Sequence, residues 1–477
     1  MKAISYEVTV AKRMLKAVRN LVLEFPPRRK ALELMAANLS ANTLSLRYHA
    51  CGDSFEITVE FPEPFQSALE EFPAAPRQQL LTLLGLCFAP FFFKLADFRT
   101  VQIRTATLDA ESIDFFEKFL LGGLAEFRYR HGLDPTKLID VLAEPDSDRT
   151  SVRIGSVSRT LMLNGGGKDT IVAAELLRAA GLPFSWVSIG PNRTRRRVIE
   201  ISGNTESMEI SYEIDPKMLA RRRYKWGHTP HASIFLAIGL VAAIITKSKF
   251  VAAGNESSAN VGNVVYKGFE INHQYAKSLE FEKGLSDFVQ RRIVQDVEVF
   301  SVLRPYSDLQ LAQMFSRHSA YFNDFISCNK SGREGREWCK RCAKCAFTAL
   351  ALYPFIGVTG IEAIFCEDVI RRPAIRQHVL QLVSGKLKPW DCVGTREECV
   401  LALGLLLQAQ PGLDFPDRPN RNDFTRAIAG ADLNDLRERV LRTVNDQHLI
   451  PGALVSKLNR GLQRQGSGEL QISPGLA

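Results

Sequence analysis

The stretch "LMLNGGGKDTIVAAELL", residues 161–177, restricts the fold more than any other part of the chain. An apolar run ends in three glycines; a lysine, an aspartate and a threonine then open a segment whose apolar residues recur at helical spacing. A strand feeding a helix through so short a turn is the opening unit of an α/β fold, and glycine tolerates the dihedrals that the turn requires. The backbone N–H groups of such a turn, with a helix N-terminus behind them, point at an anion. The bland alternative is a tight connection with no ligand. Two familiar phosphate loops do not fit: a Walker A loop needs glycine where Met162 stands and Ser or Thr where Asp169 stands, and a dinucleotide fingerprint starting at Gly165 needs glycine in place of Thr170.

The segments around the turn continue the alternation. "RTLMLN", "FSWVSIG", "MEISYEI" (208–214) and "FVAAG" (250–254) are predicted strands, with helices over "KDTIVAAELLRAA" and the apolar run 232–246. This predicts an α/β fold with a doubly wound parallel sheet over residues 151–350. Before it, "NTLSLRYHACGDSFEITVEF" alternates as antiparallel strands do and "ESIDFFEKFLLGGLAEFRYRHGL" is helical, so residues 1–150 are expected to form an α+β N-terminal domain. The polar run 144–150, "EPDSDRT", is the expected linker, residues 351–477 are expected to be mostly helical, and the tail "RQGSGELQISPGLA" to be mobile.

Of nine cysteines, Cys51, Cys87, Cys366, Cys392 and Cys399 are scattered, whereas "SCNKSGREGREWCKRCAKCAF" gathers Cys328, Cys339, Cys342 and Cys345. Four thiolates at this spacing suit one tetrahedral zinc ion, and a closed four-sulfur shell makes it structural. A ferredoxin-type cluster would want a further cysteine where Ala349 stands. Four free buried thiols are the alternative. The first 25 residues lack a secretory signal, and their basic bias leaves a transit peptide only as the weaker alternative; the longest apolar run, 232–246, is short of a bilayer span. The expected location is the cytoplasm, with no membrane partner. A net charge of +9 points to anionic partners without choosing among nucleotides, phosphorylated metabolites and RNA.

"NGGGKDT" resembles the "SGGxDS" pyrophosphate loop of the ATP pyrophosphatase (PP-loop) superfamily, whose members cleave ATP between the α and β phosphates and leave AMP on the substrate. The resemblance implies that Gly165, Gly166 and Gly167 line the pyrophosphate, that Lys168 adds charge, that Asp169 helps hold Mg2+, and that Thr170 replaces a serine hydroxyl, as Asn164 replaces the first serine. On that basis Lys168→Ala should remove AMP formation and leave the thermal melt nearly unchanged. Similar cysteine runs occur in cyanodeazaguanine synthases, which carry the same loop. The order of the loop, "NHQYAKSLEFE", "LRPYSDL" and the cysteine run, across roughly residues 110–400, resembles the MurL family of ATP-dependent epimerases of peptidoglycan precursor synthesis. Membership would imply that ATP and an L-glutamate-ended UDP-muramoyl dipeptide yield the D-glutamate epimer, AMP and pyrophosphate.

Such chemistry has a physical reason to use ATP. Removing an α proton beside an ionised carboxylate would place a second negative charge on the same centre, and adenylation removes the first, so a moderately basic side chain suffices. His228, His273 and Lys277 are the leading proton carriers, with His231 also considered, and Arg304 matches a phosphate or carboxylate with its planar fork. Glu256 and Asn260 are candidates to line the nucleotide or Mg2+. The arginine runs 193–197 and 221–225 are solvated faces or steer an anionic substrate. Each of these residues has an ordinary structural alternative. Two other functions stay open: a nucleobase- or tRNA-modifying enzyme on the same loop, against which stands the lack of an identifiable RNA-recognition motif, and a non-catalytic nucleotide-binding protein, against which stands retention of Lys168 and Asp169.

Overall fold

The computed structural model describes residues 29–146, 149–328, 330, 337–385, 388–410, 413 and 423–475. The expectations about the first 25 residues lie outside this set.

Arg29–Ser40 (β1), Thr43–Ala50 (β2) and Asp53–Glu60 (β3) form an antiparallel meander. Its alternation is legible in β2, where Leu44, Leu46, Tyr48 and Ala50 are buried and the residues between them are not. Phe98–Ile103 (β4) and Asp140–Leu142 (β5) extend it in parallel beyond β1. Val157–Asn164 (β6), Phe184–Ile189 (β7), Ser207–Ile214 (β8), Ser248–Ala253 (β9) and Glu298–Ser301 (β12) form a parallel half, while Val264–Tyr266 (β10) and Phe269–Ile271 (β11) pair in a separate small hairpin. Antiparallel pairing of β3 with β8, from Ile57 opposite Ile214 to Glu60 opposite Ser211, joins the halves. Among the described residues the result is one ten-stranded, mostly parallel sheet in the order β12-β9-β6-β7-β8-β3-β2-β1-β4-β5, which runs without interruption across residue 150.

Two apolar cores cover its faces. In β6 the side chains alternate between them: Met162 enters one with Trp186, Phe250 and Phe300, whereas Leu161 and Leu163 enter the other with Val187 and Val251. The helices Lys168–Ala179, Asp308–Phe315 and Ala343–Phe365 and the C-terminal helices pack on the first face; Ala74–Phe88, Ala110–Arg130, His231–Ile245 and Leu279–Phe288 pack on the second.

The structure bears on three expectations and corrects the first. The tail is not mobile over its described part: after the helix Gly452–Arg464, Leu470 and Ile472 are buried, Tyr306 donates to the Leu470 carbonyl at 3.1 Å, and Asn459 holds Ile472 through both backbone polar groups. Two apolar residues in a glycine-rich stretch were enough to anchor it. The expected linker is tethered at its start, because Asp146 accepts hydrogen bonds from Thr107 and from the fully buried Arg292, each at 2.8 Å. Finally, Ala343–Phe365 rather than 232–246 is the helix long and apolar enough to cross a membrane; 56% of its apolar window is buried inside the protein, and its helical geometry breaks at Gly357, three residues after Pro354.

Candidate functional site

From β6 the chain steps outward through β7 to β8, then returns to the other side of β6 with β9 and β12. The switch point of the parallel half therefore lies between β6 and β9, where open α/β sheets bind ligands beyond the carboxyl ends of the strands. The glycine turn follows β6 there, and Gly254, Asn255 and Glu256 follow β9. A Cβ on Gly254 would stand 3.1 Å from the Asp169 carbonyl oxygen, so a side chain there would crowd the start of the helix Lys168–Ala179. Gly166 has φ +75°, and a Cβ on Gly167 would come within 2.9 Å of the Ser327 hydroxyl.

The two substituted loop residues brace the turn from within. Asn164 accepts from the Gly166 N–H at 3.0 Å and donates to Ser188 and to the Arg195 carbonyl, while Thr170 accepts from the Gly165 N–H at 3.1 Å. The first-turn amides of the helix Lys168–Ala179 have no partner inside that helix. At this helix start Gly165, Gly167, Asp169 and Thr170 line a cavity of about 540 Å³. Two more helix N-termini reach the same cavity, at Thr194 and Arg195 of Arg193–Ser202 and at His231 and Ala232 of His231–Ile245. Three positive helix ends, with Lys277 and Lys344 also on the wall, suit the cavity to an anion.

Lys168 does not face this space. It is 1% exposed, and its ammonium is held by the carboxylates of Asp169 and Asp308. Burial works against that charge, but the two carboxylates outweigh it and hold Lys168 well above the ordinary lysine range. Asp169 is partly exposed to the cavity; burial would raise its carboxyl, yet Lys168, Lys344 and Lys277 hold it below the usual range. Glu256 is buried, and its Oε2 has no hydrogen-bond partner. Burial, opposed by Lys277 and aided by Asp169 and Asp308, raises its pKa. Mg2+ is commonly held by one or two carboxylates together with phosphate oxygens, and Asp169 on the wall with the orphaned Glu256 oxygen fits that requirement.

Arg304 lies behind the wall, fully buried. It donates to the Glu256 carbonyl at 2.8 Å, the Lys277 carbonyl at 2.6 Å and the Glu282 carboxylate at 2.7 Å. Glu282 in turn accepts from the backbone N–H of Ser301 at 3.0 Å. "NHQYAKSLEFE" and "LRPYSDL" are thus two halves of one brace, which fixes Lys277 and Glu256 beside the cavity. Asn260 accepts from the Leu279 N–H at 2.7 Å and caps the segment after Lys277.

The histidines are placed by a glycine pair. A Cβ on Gly122 would stand 2.5 Å from the Tyr275 ring and one on Gly123 3.2 Å from Pro230, so the helix Ala110–Arg130 approaches both loops closely. One turn further on, the buried Glu126 meets His273, its Oε2 lying 2.5 Å from Nδ1, and His228 at 3.5 Å. Burial would lower the His273 pKa, but Cys392 and Glu126 raise it to about 9; burial and the His273 charge push His228 down to about 3. Of the arginine runs, Arg195 lines the cavity, Arg196 and Arg197 pair with Glu209 and Asp324, and Arg221 pairs with Asp53.

The four clustered cysteines converge. Their sulfurs stand 3.9 Å apart for Cys328 and Cys342, 3.7 Å for Cys339 and Cys345, and 3.5 Å for Cys342 and Cys345. Tetrahedral zinc with Zn–S bonds of about 2.3 Å sets its sulfurs roughly 3.8 Å apart, so the cluster suits zinc. Cys328 also lines the cavity, and the Ile326 N–H lies 3.4 Å from the Gly166 carbonyl, so the cluster pins the segment that covers the glycine turn.

The sequence left four participants unmarked. Asp308 sits inside a quoted motif without a role, Glu126 is a lone carboxylate in the apolar run "FLLGGLAEF", Lys344 is one of many lysines, and Cys392 was only counted. The misplaced carboxylate of Glu126 was the one available signal.

Comparison with known proteins agrees with this organisation. The family model of the MurL N-terminal domain matches residues 28–302, which hold every described strand, and that of the MurL C-terminal domain matches residues 324–418, which hold the cysteine cluster and Cys392. The chain is 31% identical over 407 residues to the UDP-N-acetyl-alpha-D-muramoyl-L-alanyl-L-glutamate epimerase of Xanthomonas oryzae pv. oryzae, covering 83% of this chain and 89% of that protein. Proteins of the same name from Micromonospora sp. and Salinispora tropica are 34% and 31% identical, over 62% and 76% of this chain and 67% and 80% of their own lengths.

Proposed function

The chain belongs to the MurL family, and on that premise we propose that it epimerises the terminal L-glutamate of UDP-N-acetylmuramoyl-L-alanyl-L-glutamate to D-glutamate, with adenylation of the glutamate carboxylate by ATP and release of AMP and pyrophosphate. The observation that carries this reading is the glycine turn at the switch point, where three helix N-termini and two lysines converge on one cavity. In a fold of PP-loop type, the turn and the first-turn amides of Lys168–Ala179 bind the pyrophosphate portion of ATP. Asp169 and Glu256 would hold Mg2+, which neutralises phosphate charge when bound. Lys277 and Lys344 complement the remaining anionic groups, Arg304 fixes Lys277 and Glu256, and the cysteine cluster is a structural zinc site that holds residues 326–328 over the turn. Once the carboxylate is joined to AMP as a mixed anhydride, its carbonyl can take the electron pair left by the α proton, and the positive wall favours that charge.

Incubation of the protein with ATP, Mg2+ and the L-glutamate-ended dipeptide precursor is expected to release AMP only when the precursor is present, and acid hydrolysis of the product is expected to yield D-glutamate. AMP that appears only with a deazapurine or tRNA acceptor would overturn the epimerase in favour of a base-modifying enzyme, and no AMP with any acceptor would leave a nucleotide-binding protein.

A further inference from the structure

Cys392 lies in the loop before the helix Arg396–Ala409 and lines the cavity together with Gly165, Gly167, Lys277 and Lys344. Its thiol lies beside the His273 imidazole, whose Nδ1 stands 2.5 Å from the Glu126 carboxylate. Three separate segments thus contribute a thiol on the cavity wall, an imidazole near it and a buried carboxylate bonded to that imidazole. A sulfur paired with an imidazole that a third group orients is the arrangement of an activated thiol. The short Glu126–His273 distance is that of a hydrogen bond, whereas two ligands of one zinc ion at about 2.1 Å would stand roughly 3.4 Å apart.

We propose that Cys392 is a catalytic residue of the epimerisation: its thiolate removes the α proton of the activated glutamyl residue, with His273 holding the thiolate and Glu126 positioning His273. The proposal rests on the function proposed above and adds the base which that function requires. The S–H bond forms as the Cα–H bond breaks, and the electron pair passes into the acyl group as an enolate. The Lys277 ammonium returns a proton to the opposite face, and solvent then restores thiolate and ammonium, so no oxidant or reductant is needed.

The charges around the group agree with this assignment. Burial alone would push the thiol up, but Lys277 and His273, with Lys344, bring it to about 7; Lys388 from the same loop also faces it. At neutral pH the Cys392 thiol is therefore near its titration midpoint, beside a protonated His273 imidazole. The largest influence raising the Lys277 pKa is the Cys392 thiolate itself. When the thiolate takes the α proton, that support vanishes and Lys277 becomes a stronger acid at the step that needs one. His228, held neutral and off the cavity wall, has no such part.

Cys392→Ser in heavy water is expected to lower both α-deuterium incorporation and D-glutamate formation at least 100-fold, while dipeptide-dependent exchange of labelled pyrophosphate into ATP persists. Incorporation at the wild-type rate would overturn the proposal. No exchange in the wild-type protein would instead overturn the adenylation on which it rests. A second measurement needs no catalytically altered protein: alkylation of wild-type Cys392 by iodoacetamide, located by peptide mass spectrometry, is expected to have a midpoint near pH 7. ATP and dipeptide together should protect the thiol. A midpoint near the ordinary thiol value, or no protection, would count against the assignment.

Discussion

Lys168→Met is expected to destabilise the fold by about 3–5 kcal/mol, the usual cost of removing one partner from a buried ion pair. The ammonium and the Asp308 carboxylate are each 1% exposed, so the substitution leaves an uncompensated buried charge beside Asp169. For a chain of this size, with unfolding entropy of about 2 cal/mol/K per residue, the melting temperature should fall by roughly 3–5 °C. The resemblance alone led to the opposite expectation, a loss of AMP formation with an unchanged melt, because a loop lysine in a phosphate site is assumed to face the phosphate. Here it ties the helix that follows the turn to the helix Asp308–Phe315. The double variant Lys168→Met/Asp308→Leu should recover part of the lost stability, since a buried pair replaced on both sides is far less costly than one left half-made. An unchanged melt for Lys168→Met would show that the ion pair is not formed in solution.

Cys342→Ser is expected to abolish metal binding and to lower stability and AMP formation together. Purified wild-type protein should carry about one zinc per chain, because four converging thiolates bind it tightly and that affinity becomes folding free energy. Cys342 caps the helix Ala343–Phe365, accepting from the Cys345 N–H, so losing its sulfur affects the metal shell and the helix start at once. The effect should reach the cavity beside the glycine turn, because Cys328 ends the segment whose Ser327 sits against Gly167. Metal analysis together with a thermal melt checks both parts. Iron in place of zinc, or no metal in freshly prepared protein, would refute the site as described.

The parts of this molecule that follow from local pattern were legible in the sequence. The strand–glycine–helix unit, the alternation of β2 and β3 and the spacing of the four cysteines each depend on residues near one another in the chain. What the sequence did not disclose depends on pairing across the fold. Nothing local to residues 57–60 announces that β3 will join β8 and fuse the antiparallel and parallel halves into one sheet. The same holds for the site. Lys168 reads as a phosphate ligand until Asp308, 140 residues away, takes its charge, and Arg304 reads as a substrate fork until the structure buries it and turns three of its donors to Glu256, Lys277 and Glu282. Cys392 is one unclustered cysteine until its loop brings it to His273, itself oriented by Glu126.

The central claim is that carboxylate activation makes the α proton removable, and turnover in heavy water tests it most directly. With ATP, Mg2+ and the L-glutamate-ended precursor present, one deuterium should appear at the glutamate α carbon of the D-configured product, with AMP formed in the same reaction, and omission of ATP should abolish all three. AMP formation without deuterium at the α carbon and without D-glutamate would contradict the account.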